Sequence, residues 1–255
     1  MKKVLARIRG TLTEAGAIDH KLFYKGKEVS LFDIGAPVQG TVYGTLLNFK
    51  GELEALADKL YQPPYKKPPE SPVLYIKPRN TLAGPEAFVP FPKDAEKLQI
   101  GAALAIVIGK DAKNIKPEEA AAFIAGYTIA SDISLPHSSF FRPAVKEKAR
   151  DGFCPIGPWI VPSLEDPDDL RISVFVNEEL RQTNKTSDLI RPVSVLLSDV
   201  SRFMTLSEGD VLLAGIAENP PLAGIHDRVR IEIEGIGSLE HAFVPETVSL
   251  KEGRL

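Results

Sequence analysis

The sequence predicts an α+β fold with a wrapped β core. Three observations carry this reading. Short apolar or alternating runs recur along the 255 residues. Only three or four stretches have helical spacing, and they stand apart from one another, the pattern of helices added to a sheet core. No repeat of solenoid period and no low-complexity tract breaks the pattern. A chain of this length buries a sizeable core, as one large or two unequal domains.

Residues 1–40 read as short strands joined by turns, a small N-terminal β domain ahead of a larger domain over 41–255. In "KLFYKGKEVSLFDIG" the Lys25-Gly26-Lys27 step is a hairpin-type turn between alternating flanks. "VYGTLLNFK" is a strand ending at Asn48. In "GELEALADKLY", Leu53, Leu56, Ala57 and Leu60 recur at helical spacing. The prolines of "QPPYKKPPESP" forbid helix and central strand, leaving an extended connector. "VLYIKPRNTLAG" is a strand feeding a turn, "EAFVPFP" an edge segment, and "LQIGAALAIVIGK" a buried strand that stops at a glycine.

"KPEEAAAFIAGY" is a short helix, with Pro117 and acidic residues in its first turn to suit the helix dipole. "YTIASDIS" is a strand ending on Asp132. "LRISVFVNEELRQTN" alternates around an Asn177-Glu178 turn and forms a hairpin. "PVSVLLSDVSRFMTL" is amphipathic, and "GDVLLAGI" and "RVRIEIEG" are further strands.

Composition excludes several classes of function. Thirty-one Lys and Arg stand against 34 Asp and Glu, a net charge of −3 and a pI near 5.9, so nothing marks a nucleic-acid surface. The basic "PPYKKPPE" is a solvated loop. No apolar run reaches the ~18 residues of a spanning helix. "MKKVLARIRG" lacks a signal peptide's apolar centre. A single cysteine, Cys154, excludes an internal disulfide and a Cys-based metal cluster. A cytoplasmic protein with no membrane partner is expected.

Chemistry-bearing residues concentrate between Gly126 and Pro162, where Asp132, His137, Arg142, Lys146, Lys148, Arg150 and Asp151 sit among Pro- and Gly-rich turns. An acid at a strand end followed by cations suits a divalent metal or an anionic substrate; it equally suits solvated charges on a long loop. His137 reads as a loop histidine and Cys154 as a buried small hydrophobe. Trp159 reads as a core anchor. His20, His226 and His241 share no metal-ligand spacing, and no dinucleotide fingerprint, P-loop or nucleophile elbow is present.

Ordered phrases carry a resemblance: "YIKPRNTLAG", "VPFP", "LAIVIGKDAKNI", "IAGYTIASDIS", "ARDGFCPIGPWIVP", "VNEELRQTNKTSDLI" and "FMTLSEGDVLLAG". Over Val42 to Glu246 the chain resembles the fumarylacetoacetate hydrolase family. "YKKPPESPVLYIKPRNT" and "SLPHSSFFRPAVKEKARDGFCPIG" are most similar to its branch of homoprotocatechuate (4-hydroxyphenylacetate) isomerase/decarboxylases, and to the first of that branch's two tandem domains. The resemblance implies a mixed β-roll core with a small N-terminal β domain. It also implies a Mg²⁺ or Mn²⁺ site made by a Glu-x-Glu pair and an Asp, beside a lysine.

On this chain the Asp falls on Asp132 and the lysine on Lys148, while the Glu pair falls on Gly101 and Ala103. The family's catalytic His falls near Glu52, and its Gly-Thr-Pro-x-Gly turn becomes Gly215-Ile216-Ala217-Glu218-Asn219. Asp132 is then the only metal ligand, and a tightly bound Mg²⁺ or Mn²⁺ is not expected unless Glu52 or Glu218 rebuilds the site. The resemblance implies catalytic roles for Lys148 and Asp132, with Lys77, Arg79 and Arg142 gripping substrate carboxylates. Substrates would be dicarboxylates or tricarboxylates: ketonisation of 2-hydroxyhepta-2,4-diene-1,7-dioate, decarboxylation of 5-oxopent-3-ene-1,2,5-tricarboxylate, or both. Two alternatives stay open: a supporting subunit paired with a metal-bearing paralogue, in which Lys148 and Asp132 form a residual ion pair, and an acylpyruvate-type hydrolase, disfavoured by the missing His and Glu pair. The expected assembly is a homodimer or a heteromer with such a paralogue.

Overall fold

Two long antiparallel strands, Leu98–Ile108 and Ile124–Ser134, form the spine of the computed structural model, which describes residues 1–137 and 142–246. Their ladder runs from Gln99↔Ser134 to Ile106↔Tyr127 and breaks at a bulge by Val107 and Ile108. Both faces of this pair are covered, which is why the sequence reads here as a continuous apolar run rather than an alternation. On one face Ile100, Leu104 and Ile129 pack with Ile172, Val174, Ile231, Leu239 and Phe243. On the other, Ala103, Ala105 and Ala130 pack with Val42, Cys154, Ile156 and Leu213.

Among the described residues the strands form a thirteen-stranded and a five-stranded sheet. In the large one the spine lies between Cys154–Val161 and Val211–Leu213, followed outward by Val42–Leu46 and then Val73–Lys77 at the edge. Lys2–Ile8 pairs with Thr11–Ile18 and, at Leu5↔Ile160, with Cys154–Val161. The N-terminal strands therefore continue the large sheet across residue 40. The small sheet holds the Arg171–Val176 and Glu179–Lys185 hairpin, Arg228–Ile233, Gly237–Pro245 and, at its edge, Ala87–Phe91. Parallel pairs such as Val211–Leu213 with Val42–Leu46 make the sheets mixed, and the few separate helices make the architecture α+β.

Local chemistry explains the turns. Asn177 and Glu178 have φ of +51° and +63°, and Lys25 and Gly26 have +50° and +77°, the left-handed pairs that two-residue hairpins need. Helices are few. Val193–Ser201 buries Leu196, Leu197 and Val200 against the core, beside Ala120 of the tight helical turn Pro117–Phe123. Lys50–Leu56, continued by the tighter turn Ala57–Tyr61, rests instead on its own cluster of Leu47, Leu56 and Leu60. No helix of the described residues is long and apolar enough to cross a membrane.

Candidate active site

The strand register builds the site. Gly101 and Asp132 are directly opposed in the spine, so their side-chain positions share the face carrying Ala103 and Ala130. Tyr75 and Lys77, two apart on Val73–Lys77, share one face of the edge strand. Gly44 is the partner of Tyr75 in the neighbouring strand, and a Cβ there would overlap the phenol ring. Its absence lets the ring lie across the sheet toward Asp132. Lys148 closes the constellation from the end of the short helix Val145–Lys148.

Asp132 is the hub. Its Oδ1 ion-pairs with Lys77 Nζ at 2.7 Å, and its Oδ2 with Lys148 Nζ at 2.6 Å. The Tyr75 hydroxyl donates to Oδ2 at 2.5 Å. Burial alone would raise the Asp132 carboxyl, but the Lys148 and Lys77 ammonium groups together outweigh it and hold it well below the usual carboxylate range. Burial, reinforced by the Asp132 charge, pushes the Tyr75 phenol well up. Lys77 is 1% exposed and also donates to the carbonyls of Ile133 (2.9 Å) and Lys148 (2.8 Å). Burial pulls Lys77 down, yet only the ammonium form has three hydrogens for these three oxygens.

Lys77 was expected to grip a substrate carboxylate; its ammonium is instead committed to the protein. Arg79 sits exposed on the turn Arg79–Thr81 and lines neither cleft described below. Arg142 is exposed, on the wall of a cleft with Tyr75, Val145, His137 and Lys148. That cleft meets a second at Leu46, His137 and Lys148. The second cleft, about 130 Å³, is walled by Glu52, Gly101, Asp132, Ile216 and Glu218.

Glu52 lines this cleft and is half-buried within it. Its Oε2 accepts from the Leu47 amide at 2.6 Å. Burial lifts its carboxyl to about 7, against the opposing pull of that amide and of Lys148. A carboxylic acid poised near neutrality in a cleft is equipped for proton transfer. Sequence position marked Glu52 as a departure from a histidine and, with Glu218, as a candidate to rebuild the metal site, but gave no sign of a proton-transfer group. Tyr75 was also missed, although the alternation in "VLYIK" places it beside Lys77.

The family model described as "Fumarylacetoacetate (FAA) hydrolase C-terminal" matches residues 41–244. The chain belongs to the fumarylacetoacetate hydrolase family. Within this family it is 42% identical over 209 residues to the Escherichia coli "4-hydroxyphenylacetate degradation bifunctional isomerase/decarboxylase", covering 82% of this chain and 48% of that protein. The chain thus spans about half the length of this relative. The "5-carboxymethyl-2-hydroxymuconate delta-isomerase" structure from Mycobacterium smegmatis superposes with a TM-score of 0.77 at 30% identity, covering 97% of this chain and 100% of that one. The "2-hydroxyhepta-2,4-diene-1,7-dioate isomerase" from Mycobacterium marinum gives 0.77 at 27% identity, covering 97% and 100%.

The residues present do not fit the family's divalent metal. Both Asp132 oxygens are held by cations, and the two positions where the resemblance sets the Glu pair are Gly101 and Ala103. A Cβ on Gly101 would lie 2.6 Å from Ile216 Cδ1, so Ile216 fills the space a side chain would need. Glu52 and Glu218 line the cleft, but among the described residues no three His, Cys, Asp or Glu side chains converge to hold an ion. A dication 4 Å from one ammonium is repelled by about 8 kcal/mol at an effective dielectric of 20, and here there are two ammonium groups.

Proposed function

We propose that this chain ketonises an unsaturated 2-hydroxy-dienoic diacid of the class of 2-hydroxyhepta-2,4-diene-1,7-dioate, without a metal ion. One observation carries the reading: Lys148 and Glu52, a cation and a carboxylic acid poised near neutrality, face one cleft. The activities named for the isomerase relatives support the substrate class.

The reaction is a proton shift. The enol O–H at carbon 2 gives its proton to solvent as the carbonyl forms, and solvent later returns a proton to Glu52. The 2,3 double bond moves to 3,4, and the electron pair of the 4,5 double bond takes a proton at carbon 5. Negative charge collects on the carbon-2 oxygen, where the Lys148 ammonium stabilises it. Glu52 in its acid form delivers the proton to carbon 5. Arg142, in the adjoining cleft, holds the far carboxylate. Asp132 and the Tyr75 ring hold Lys148 in position, and Lys77 holds Asp132.

Disappearance of the dienol absorbance above its spontaneous rate is the direct assay. Glu52→Gln should lower kcat by about 10²-fold or more, and the wild-type rate should fall tenfold per pH unit above about 7 as the acid form is lost. A Glu52→Gln variant with the wild-type rate and pH profile refutes the mechanism. The saturated carboxylate of Asp132 also favours a second reading, a supporting domain beside a metal-bearing paralogue. No turnover by the chain alone, restored by adding that paralogue, would select it.

A further inference from the structure

We infer that this site has the charge order of a dication site reversed: Lys148, braced by Asp132 and Lys77, takes the carboxylate-and-oxygen end of a 2-oxo acid directly. The inference deepens the proposed function and rests on it for the ligand class. It asserts that an anion occupies the place where kin hold a cation.

Three observations lead there. First, the buried cluster carries two ammonium groups against one carboxylate, a surplus of one positive charge. Second, the surplus is directional. Lys77 is enclosed by Asp132, the Ile133 carbonyl and the Lys148 carbonyl, whereas Lys148 lines both clefts, and among the described residues Asp132 Oδ2 is its one hydrogen-bond acceptor. Third, the floor beside Lys148 is apolar where a metal's anions would stand. Gly101 lines the cleft and brings no charge, Ile216 packs over it, and Ala103 is buried behind it in the apolar core.

Water is thus displaced from one side of the ammonium, which strengthens its pull on an oxyanion. The other charged or titratable groups facing the clefts are Glu52, Glu218, His137 and Arg142. Glu52 can shed its charge by taking a proton. Arg142 marks where the second carboxylate of a diacid would lie.

The test uses 2-oxoglutarate, a diacid whose 2-oxo acid end chelates metals when a site offers one. Titration calorimetry on the whole chain is run in EDTA and again with excess Mn²⁺. The expected result is saturable binding in EDTA, with an affinity unchanged within about twofold by Mn²⁺, and no stoichiometric Mn²⁺ site by electron paramagnetic resonance. Lys148→Met should weaken binding at least tenfold and Lys148→Arg much less. If Lys148→Met fails to fold, the wild-type contrast between EDTA and Mn²⁺ decides.

Binding that appears only with Mn²⁺, stoichiometric binding of Mn²⁺ alone, or no binding under either condition overturns the inference. Dienol turnover in the same EDTA buffer separates the two claims. Binding without turnover sinks the isomerase reading alone, and turnover without binding sinks this one alone.

Discussion

Removing Lys77 while keeping its stem, Lys77→Met, tests whether the buried Lys77–Asp132–Lys148 cluster is a structural brace for the site. The substitution leaves Asp132 Oδ1 without its cation in a fully buried position, and it strips the Ile133 and Lys148 carbonyls of a donor. Breaking a buried ion pair from one side costs about 3–5 kcal/mol. Lys148 and Tyr75 remain on Oδ2 and limit the loss, so about 4 kcal/mol is expected. In a chain of this size that lowers Tm by roughly 8–16 °C. The decisive measurement is a double-mutant cycle by urea unfolding. Asp132→Asn alone leaves two ammonium groups facing an amide, while the double variant removes one charge of each sign. The double variant should be more stable than the sum of the single losses predicts, by at least about 2 kcal/mol. Additivity within about 0.5 kcal/mol, or a Lys77→Met Tm within two or three degrees of wild type, refutes the brace.

Two further outcomes are expected. Gly44→Ala should displace the Tyr75 ring and cost about 1–3 kcal/mol, and the added penalty should vanish in a Tyr75→Ala background; an unchanged penalty there would mean the ring is not what Gly44 accommodates. His241, on the opposite face of the spine and 3.0 Å from Ser131 Oγ, is held neutral by burial with its pKa lowered to about 3. Its folded pKa lies below the unfolded value of about 6.5, so the unfolded chain binds the extra proton. The stability it supports is complete above pH 6.5 and falls as pH drops toward 3, by about 4 kcal/mol between pH 7 and 3.5. His241→Gln should flatten that part of the curve, and an identical acid slope in the variant would remove His241 as its cause.

The order of elements could be read along the chain alone. The hairpin at Asn177-Glu178, the apolar spine strands and the buried Trp159 were legible because each depends on side-chain periodicity or on backbone preferences a few residues wide. The resemblance to the family likewise set two expected carboxylates on Gly101 and Ala103. What those absences did to the site was a tertiary matter. Asp132, Lys77 and Lys148 are brought together from three separate elements, and only their packing shows that Lys77 is spent on the protein, that Arg79 lies outside the clefts, and that Ile216 has filled the gap over Gly101. The proton affinity of Glu52 was likewise invisible along the chain, because the burial that raises it comes from the walls of the cleft. Charge and shape at a site are set by neighbours distant in sequence, whereas a strand's periodicity is set by its own residues.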